Sequence, residues 1–241
     1  MESGVLQPMD KKTIADVIGV LREEVSVELA NTPALIQQAH RLRYQVYCLE
    51  RGFEAGSNGL EVDQYDEHSH HAIVRWRHSG DVVGTVRLIL PHSETDPGLP
   101  MYNLGEPGLF RGLPPMTTGE VSRFALSKEL RGISAASCSM LRLALIKGAV
   151  WLSAEAGHTH WLAVMEPTLL RLLRATGVHF DPMGPMVDYH GVRQPAVAHL
   201  LPMLRLMAQE QPAVWDYVTR GGRLFSDSAH CSPRPLDAIA A

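Results

Sequence analysis

Arg43, Asp63, Asp66, Arg87, Glu120 and Arg123 stand in or beside apolar stretches of a 241-residue chain. A lone charge in such a setting is costly to desolvate unless it is paired. Three of the six are cationic and three anionic, so together they would form a neutral, pre-organised polar site. Sites of that kind are built for chemistry more often than for stability. A carboxylate in such a set can take up a proton, and the guanidinium groups can orient carboxylates or hold an anionic part of a substrate.

The rest of the composition narrows the class of protein. With 45% apolar residues the chain can bury a substantial core, and its length fits one large domain better than two small ones. A net charge of -4 without a Lys/Arg run gives no footprint for nucleic acid. Cys48, Cys138 and Cys231 are odd in number and widely spaced, which indicates neither a disulfide framework nor a cysteine zinc site and fits the reducing cytoplasm. Without a signal-peptide block or a membrane-length apolar stretch, the expectation is a soluble protein.

The elements that must position the six charges follow from periodicity. Thr32 and Pro33 suit the cap and first position of a helix whose stripe is Leu35, Ala39, Leu42, Val46 and Leu49. Arg43 and Tyr47, one turn apart, share its flank and could face one cavity. A Gly-bearing loop from Gly52 to Gly59 and the acidic run Glu61 to Asp66 precede two strands, Ala72 to Trp76 and Val82 to Leu90, turned at Ser79-Gly80-Asp81. The Pro- and Gly-rich stretch Pro91 to Pro115 reads as a substrate-facing loop. A strand over Thr118 to Leu126 follows, then a helix from about Ser134 to Ala156 with Cys138, Leu141, Leu145, Ala149 and Leu152 on one face. Next come a strand at Trp161 to Met165, a helix at Pro167 to Ala175, a short strand at Val178 to Phe180, a strand pair around Met186 to Ala198 and a C-terminal helix. Strands alternating with helices after an initial helix and hairpin point to an α/β fold.

The motifs Arg43-Tyr-Gln-Val-Tyr47 with Phe53, then Asp63 and Asp66, Gly84-Thr-Val-Arg-Leu-Ile89 and Gly119-Glu-Val-Ser-Arg-Phe-Ala125 resemble, in order and spacing, the acyl-homoserine-lactone (autoinducer) synthases and the N-acyl amino acid synthases. They are more similar still to the acyltransferases associated with PEP-CTERM/exosortase systems, over roughly Arg43 to Leu200. The resemblance implies a GNAT-like mixed sheet flanked by helices with a bulged central strand, and an acyl-phosphopantetheine arm entering between central strands. It divides the chain into a single acyltransferase domain: a helical extension over 1–24, a core over 25–200, and a C-terminal helix with a loose tail over 201–241. Local chemistry agrees in two places. Glu120 and Arg123 can share one side of a strand only if a bulge separates them, and a bulge would aim a backbone N–H at a substrate carbonyl. Arg131-Gly-Ile-Ser134 opens the long helix, whose free N–H groups favour a phosphate.

The expected reaction is transfer of a fatty acyl group from an acyl carrier protein or coenzyme A thioester to the amino group of an amino acid or related small amine. Glu120 would take the proton, and Arg123, Asp66 and Arg87 would complete the catalytic set. Arg123 would position Glu120 or an anionic part of the substrate, while Arg43 and Arg87 would pair Asp63 and Asp66 or hold an acceptor carboxylate. The resemblance places Tyr47 and Phe53 beside the acyl pocket. An amide near Phe124 would hold the oxyanion, and Lys128, Arg131, Gly132 and Ser134 would meet the donor's phosphate or its carrier protein. His68, His70 and His71 read as a solvated strand entry, and no metal is assigned. Phe53 where lactone synthases usually carry Trp weakens an S-adenosylmethionine-dependent lactone synthase, which stays the alternative. An acetyl-CoA-dependent acetyltransferase and a non-enzymatic acyl-binding regulator are the further readings. Beyond a carrier protein and a small acceptor the sequence names no partner, and membrane contact would come only through a lipid product.

Overall fold

The computed structural model describes residues 11–104, 107–128 and 135–225. The chain opens with α1 (Lys11–Glu24), β1 (Val25–Leu29) and α2 (Pro33–Arg43), and α2 runs on into a wider π-helical turn over Tyr44–Glu50. The hairpin strands β2 (Ser69–Trp76) and β3 (Val82–Ile89) come next, then three short 3₁₀ turns and β4 (Thr118–Leu126). The second half is α3 (Ala135–Ala156), β5 (His160–Met165), α4 (Pro167–Arg174), β6 (Asp181–Pro182), β7 (Val187–Asp188), β8 (Val192–His199), α5 (Leu200–Glu210) and α6 (Pro212–Thr219). Thr32 caps α2 through its hydroxyl, which accepts the Leu35 N–H at 3.3 Å, and Pro33 fills the first turn where no donor is needed.

The strands form one mixed sheet in the order β1-β2-β3-β4-β5-β8-β6, with β7 added to β8. Every neighbour is antiparallel except β4 and β5, which run parallel and pair only over Thr118–Glu120 and His160–Leu162. Beyond that point β4 stays with β3 while β5 follows β8, so the sheet splits in the middle. The split is the feature that makes room for a ligand, because the facing edges of both strands lose their ladder partners there.

One face of the sheet carries α3, backed by α1 and α6, with α5 packed on α6 and β8. Leu141, Leu145, Ala149 and Leu152 are buried, as are Leu143, Ile146 and Val150, so α3 is apolar nearly all round because it lies between sheet and helices. Each fully buried Leu contributes roughly 1.5–3 kcal/mol. The other face carries α2, which packs on β2, β3 and β4. Face assignment follows register: Arg87 lies opposite His71 and Ser122, and Ile89 opposite Glu120, so these side chains point towards α2.

The architecture is the expected GNAT-like mixed sheet, with five differences of detail, the first being that the one expected C-terminal helix is two, α5 and α6, broken at Gln211 ahead of Pro212. β1 was not read from the sequence because five alternating residues directly after a helix carry little signal. Val178 to Phe180 is not a strand; the pairing with β8 begins at Asp181. Leu49 is 60% exposed rather than in the core, since the π winding from Tyr44 breaks the 3.6-residue phase. His70 and His71 are not a solvated entry: they belong to β2, between β1 and β3, and His71 is 2% exposed. Cys231 and the tail from 226 lie outside the described residues, as does the side chain of Cys138.

Gly148 marks where α3 approaches the sheet most tightly, because a Cβ there would lie 2.9 Å from the Ala72 Cβ and 3.3 Å from Val86 Cγ1. Gly148→Val is expected to cost about 1–3 kcal/mol by overpacking, despite the better helix propensity of valine. Urea unfolding of both proteins checks it.

Candidate active site

β4 carries the bulge that Glu120 and Arg123 require. The step from Thr85 to Arg87 on β3 faces the step from Ala125 to Ser122 on β4, so three residue steps oppose two. The extra residue is Arg123, held at φ 47. A left-handed non-glycine residue costs of order 1–3 kcal/mol and persists only where its surroundings fix it. Here the surroundings are carboxylates: Arg123 Nη2 donates to Glu61 at 2.8 Å, to Asp63 at 3.0 Å and to Glu54 at 3.3 Å. Its guanidinium also lies 5.1 Å from the Tyr47 ring centroid. The bulge thus puts Ser122 and Arg123 on the α2 face together and turns Phe124 into the core on the other side.

The remaining charges interlock behind Arg123. Arg43, with no exposed surface, donates from Nε to Glu61 at 2.5 Å and through both terminal nitrogens to Asp66, at 2.6 and 2.9 Å. Arg87, 1% exposed, forks onto Asp63 at 2.6 and 3.0 Å, reaches Asp66 at 2.9 Å and donates from Nε to Ser122 Oγ at 2.9 Å. Asp66 also accepts the Asp63 N–H at 2.8 Å. Of the two roles open to Arg43 and Arg87, the structure has them pairing Asp66 and Asp63. Arg123 pairs Glu61 and Asp63, not Glu120.

Glu61 is the member that sequence reasoning missed. It bridges Arg43 and Arg123 and is 2% exposed, yet in the sequence it looks like one more acid at the start of an acidic run. Burial would raise its pKa, but the hydrogen bonds from Arg123 and Arg43 overcome this and hold it at about 2. Burial likewise opposes ionisation of Asp66, and Arg43 holds it well below the usual carboxylate range.

Glu120 is different. It is 4% exposed and makes no ion pair among the described residues. Its Oε2 accepts one hydrogen bond, 2.7 Å from the Met101 N–H in the Pro-rich segment. Burial pushes its pKa up to about 7, against the Met101 N–H and the Arg87 charge, both of which pull it down. A carboxyl poised there can take up or release a proton at physiological pH.

These residues meet at a cavity of about 410 Å³ in the split between β4 and β5. Asp63, Tyr65, Arg87, Glu120, Arg123, Tyr47, Phe53 and Glu54 line it, with Tyr189, His190 and Arg193 from the β7–β8 hairpin. Phe53 stacks on His190 with centroids 5.1 Å apart. Another part of the wall is apolar: Leu126, Ile146, Trp161, Leu169, Leu172, Leu173 and Phe180. Pro100, Asn103 and Leu104 also reach the cavity, as expected of a substrate-facing loop. Arg43 and Asp66 do not line it; they hold the lining residues from behind.

Phe124 and Lys128 lie on the wall, and the Lys128 N–H is fixed by Glu50 at 2.9 and 3.0 Å. Arg131, Gly132 and Ser134 lie outside the described residues. His40 and His71 flank Asp66, with Nε2 atoms 3.8 and 3.5 Å from its Oδ1, and the three ligand-type atoms lie within 4.8 Å of one another. That oxygen already accepts from Arg43 and Arg87. A cation there would have to displace two guanidinium groups and then sit beside their charges.

Residues 42–140 match the family model described as an acetyltransferase (GNAT) domain, and every charge of the network lies inside that segment. No curated protein sequence matches the chain. Among solved structures, TofI in a ternary complex with an inhibitor and MTA is 26% identical with a TM-score of 0.55, over 79% of this chain and 99% of that one. BjaI, a CoA-dependent acyl-homoserine lactone synthase solved with SAM and isopentyl-CoA, is 21% identical with a TM-score of 0.54, over 90% and 97%. FeeM, an N-acyl amino acid synthase from uncultured soil microbes, shares the fold at 15% identity and a TM-score of 0.55, over 78% and 97%.

Removing one partner of a buried ion network leaves the others uncompensated. Glu61→Gln is therefore expected to cost about 3–5 kcal/mol in urea unfolding at pH 7. Because Glu61 is depressed from 4.5 to about 2, its contribution is present above pH 4.5 and is lost as pH falls towards 2. The acid limb of the wild-type stability profile should accordingly be steeper than that of the variant.

Proposed function

We propose that this acyltransferase of the GNAT type moves a fatty acyl group from a phosphopantetheine thioester, on an acyl carrier protein or coenzyme A, to the amino group of an amino acid or a related small amine. The observation that carries the reading is Glu120: a buried carboxyl free of cationic partners, with a pKa near neutrality, on the wall of a cavity that also has a long apolar side. An amine acceptor is largely ammonium at neutral pH and must lose a proton before it attacks a thioester, so a base with such a pKa is required.

In the mechanism, Glu120 takes that proton directly or through a water. The amine nitrogen bonds to the thioester carbonyl carbon, and the oxygen gathers negative charge near the Phe124 amide, on the strand edge freed by the split. The nitrogen, cationic after attack, gives up its second proton to solvent, collapse breaks the carbon–sulfur bond, and the leaving thiolate takes a proton from Glu120 or from solvent. Asp63 and Glu54, 23% and 27% exposed, are the network carboxylates that can meet a cationic acceptor before it is deprotonated. Lys128 is on the cavity wall where an anionic pantetheine arm can reach it. Arg131, Gly132 and Ser134, outside the described residues, are assigned to the donor's phosphate on the sequence reading alone. The apolar wall favours a fatty over an acetyl group, because it can take a long hydrocarbon chain out of water.

The test is mass spectrometry of lipid extracts from cells expressing the wild-type chain or Glu120→Gln. Acyl-amino acids present only with the wild type are expected; acyl-homoserine lactones in their place, or no new lipid in either strain, would contradict the reading. With purified enzyme, Glu120→Gln should lower kcat by at least about 10²-fold. The wild-type kcat/KM should rise with pH through an inflection near 7, because the ionised carboxylate is the active form, and the variant should lack that inflection.

A further inference from the structure

A second cavity, of about 350 Å³, shares no lining residue with the first. It lies between the end of α1, the middle of α3 and the turn after α6, and Arg22, Lys147, Arg220 and Arg223 line it against a single carboxylate, Asp216. That carboxylate is already paired with Arg22. Among the described residues, Lys147, Arg220 and Arg223 have no carboxylate within ion-pair distance. Three cations thus converge outside ion-pair reach of any carboxylate in a chain whose net charge is -4, with Asp216 and Glu155 offsetting them only at longer range, so the cluster is no part of a general basic coat.

The local structure holds these cations in place. Lys147 projects from α3 over the Tyr217 ring, with its Nζ 4.3 Å from the centroid. Burial, and then the charges of Arg220, Arg22 and Arg77, push its pKa down to about 8 against the pull of Asp216, the direction expected of a cation whose neighbours are mostly cationic. Arg220 closes α6 in the left-handed region at φ 56, ahead of Gly221 and Gly222 at positive φ, and its guanidinium lies 3.4 Å over Trp151. Glu155, the one acid of α3, accepts the Trp151 indole N–H at 3.2 Å and favours the Arg220 cation from beyond ion-pair distance.

We propose that this cavity binds a small oligophosphate anion. Guanidinium and ammonium donors recognise phosphate oxygens through charge-assisted hydrogen bonds. One phosphate group carries only about -1.5 to -2 near neutrality, so three unpaired cations are better matched by two linked phosphates than by one. Tyr217 is the aromatic ring in the lining, and Lys147 already lies over one of its faces, which places recognition on the phosphates rather than on a nucleobase. The site stands independently of the acyl-transfer reading.

Titration calorimetry of inorganic pyrophosphate into the full chain tests this. One saturable site is expected, weakened at least tenfold by Lys147→Met and by Arg220→Gln, and weakened for the wild type by added sodium chloride. Pyrophosphate should also raise the wild-type melting temperature and leave that of Lys147→Met unchanged. Arg223→Gln, on an exposed side chain beyond the last helix, keeps the test open should either other variant fail to fold. Absence of saturable binding overturns the proposal. Binding that none of the three substitutions weakens overturns it too, by locating the anion elsewhere, the first cavity included.

Discussion

Arg43 and Arg87 have essentially no exposed surface, and neither could be buried alone. Desolvating a guanidinium costs several kcal/mol, repaid only when carboxylates with good geometry surround it. Glu61, Asp63 and Asp66 supply those carboxylates from a loop without regular strand or long helix, so the arginines of α2, β3 and β4 also fix the path of that loop. The network extends to Arg123 and stabilises a left-handed residue in mid-strand. The bulge at that residue bends β4 beside the split that makes the cavity. Each feature of the site therefore traces back to the need to neutralise buried arginines.

The same neutralisation explains why one carboxyl is free to act. Had Arg123 paired with Glu120, the pKa of Glu120 would fall with those of its neighbours and it would be a poor base at pH 7. Instead the three arginines are taken up by Glu61, Asp63 and Asp66, and Glu120 keeps only a backbone N–H. Two carboxylates in one site are thereby driven apart, Glu61 to about 2 and Glu120 to about 7. Separation of this kind distinguishes a structural acid from an acid–base group.

Much of this arrangement was legible in the sequence. Glu120 and Arg123, three apart, can share one site only across a bulge, and the structure has it at Arg123. The hairpin, β4 and the long helix follow from turn residues and apolar periodicity, and both ends of β4 agree with the reading. Pairing partners were not legible. Whether Arg123 meets Glu120 or Glu61 depends on how the 51–66 loop folds back on the sheet, and a loop without periodicity carries no record of that. Glu61 was overlooked for the same reason, since an acid in an acidic run looks solvated until its neighbours are known. The π turn at Tyr44 escaped because its sequence still satisfies a 3.6-residue stripe as far as Leu49.

The central claim is that Glu120 titrates near neutrality because it is buried without an ion pair to any arginine. Difference infrared spectroscopy across a pH titration, comparing the wild type with Glu120→Gln, measures this directly. The account predicts one carboxyl band that loses its proton near pH 7 in the wild type and is missing from the variant. A wild-type spectrum in which every carboxyl ionises at or below the ordinary glutamate value of 4.5 would contradict it.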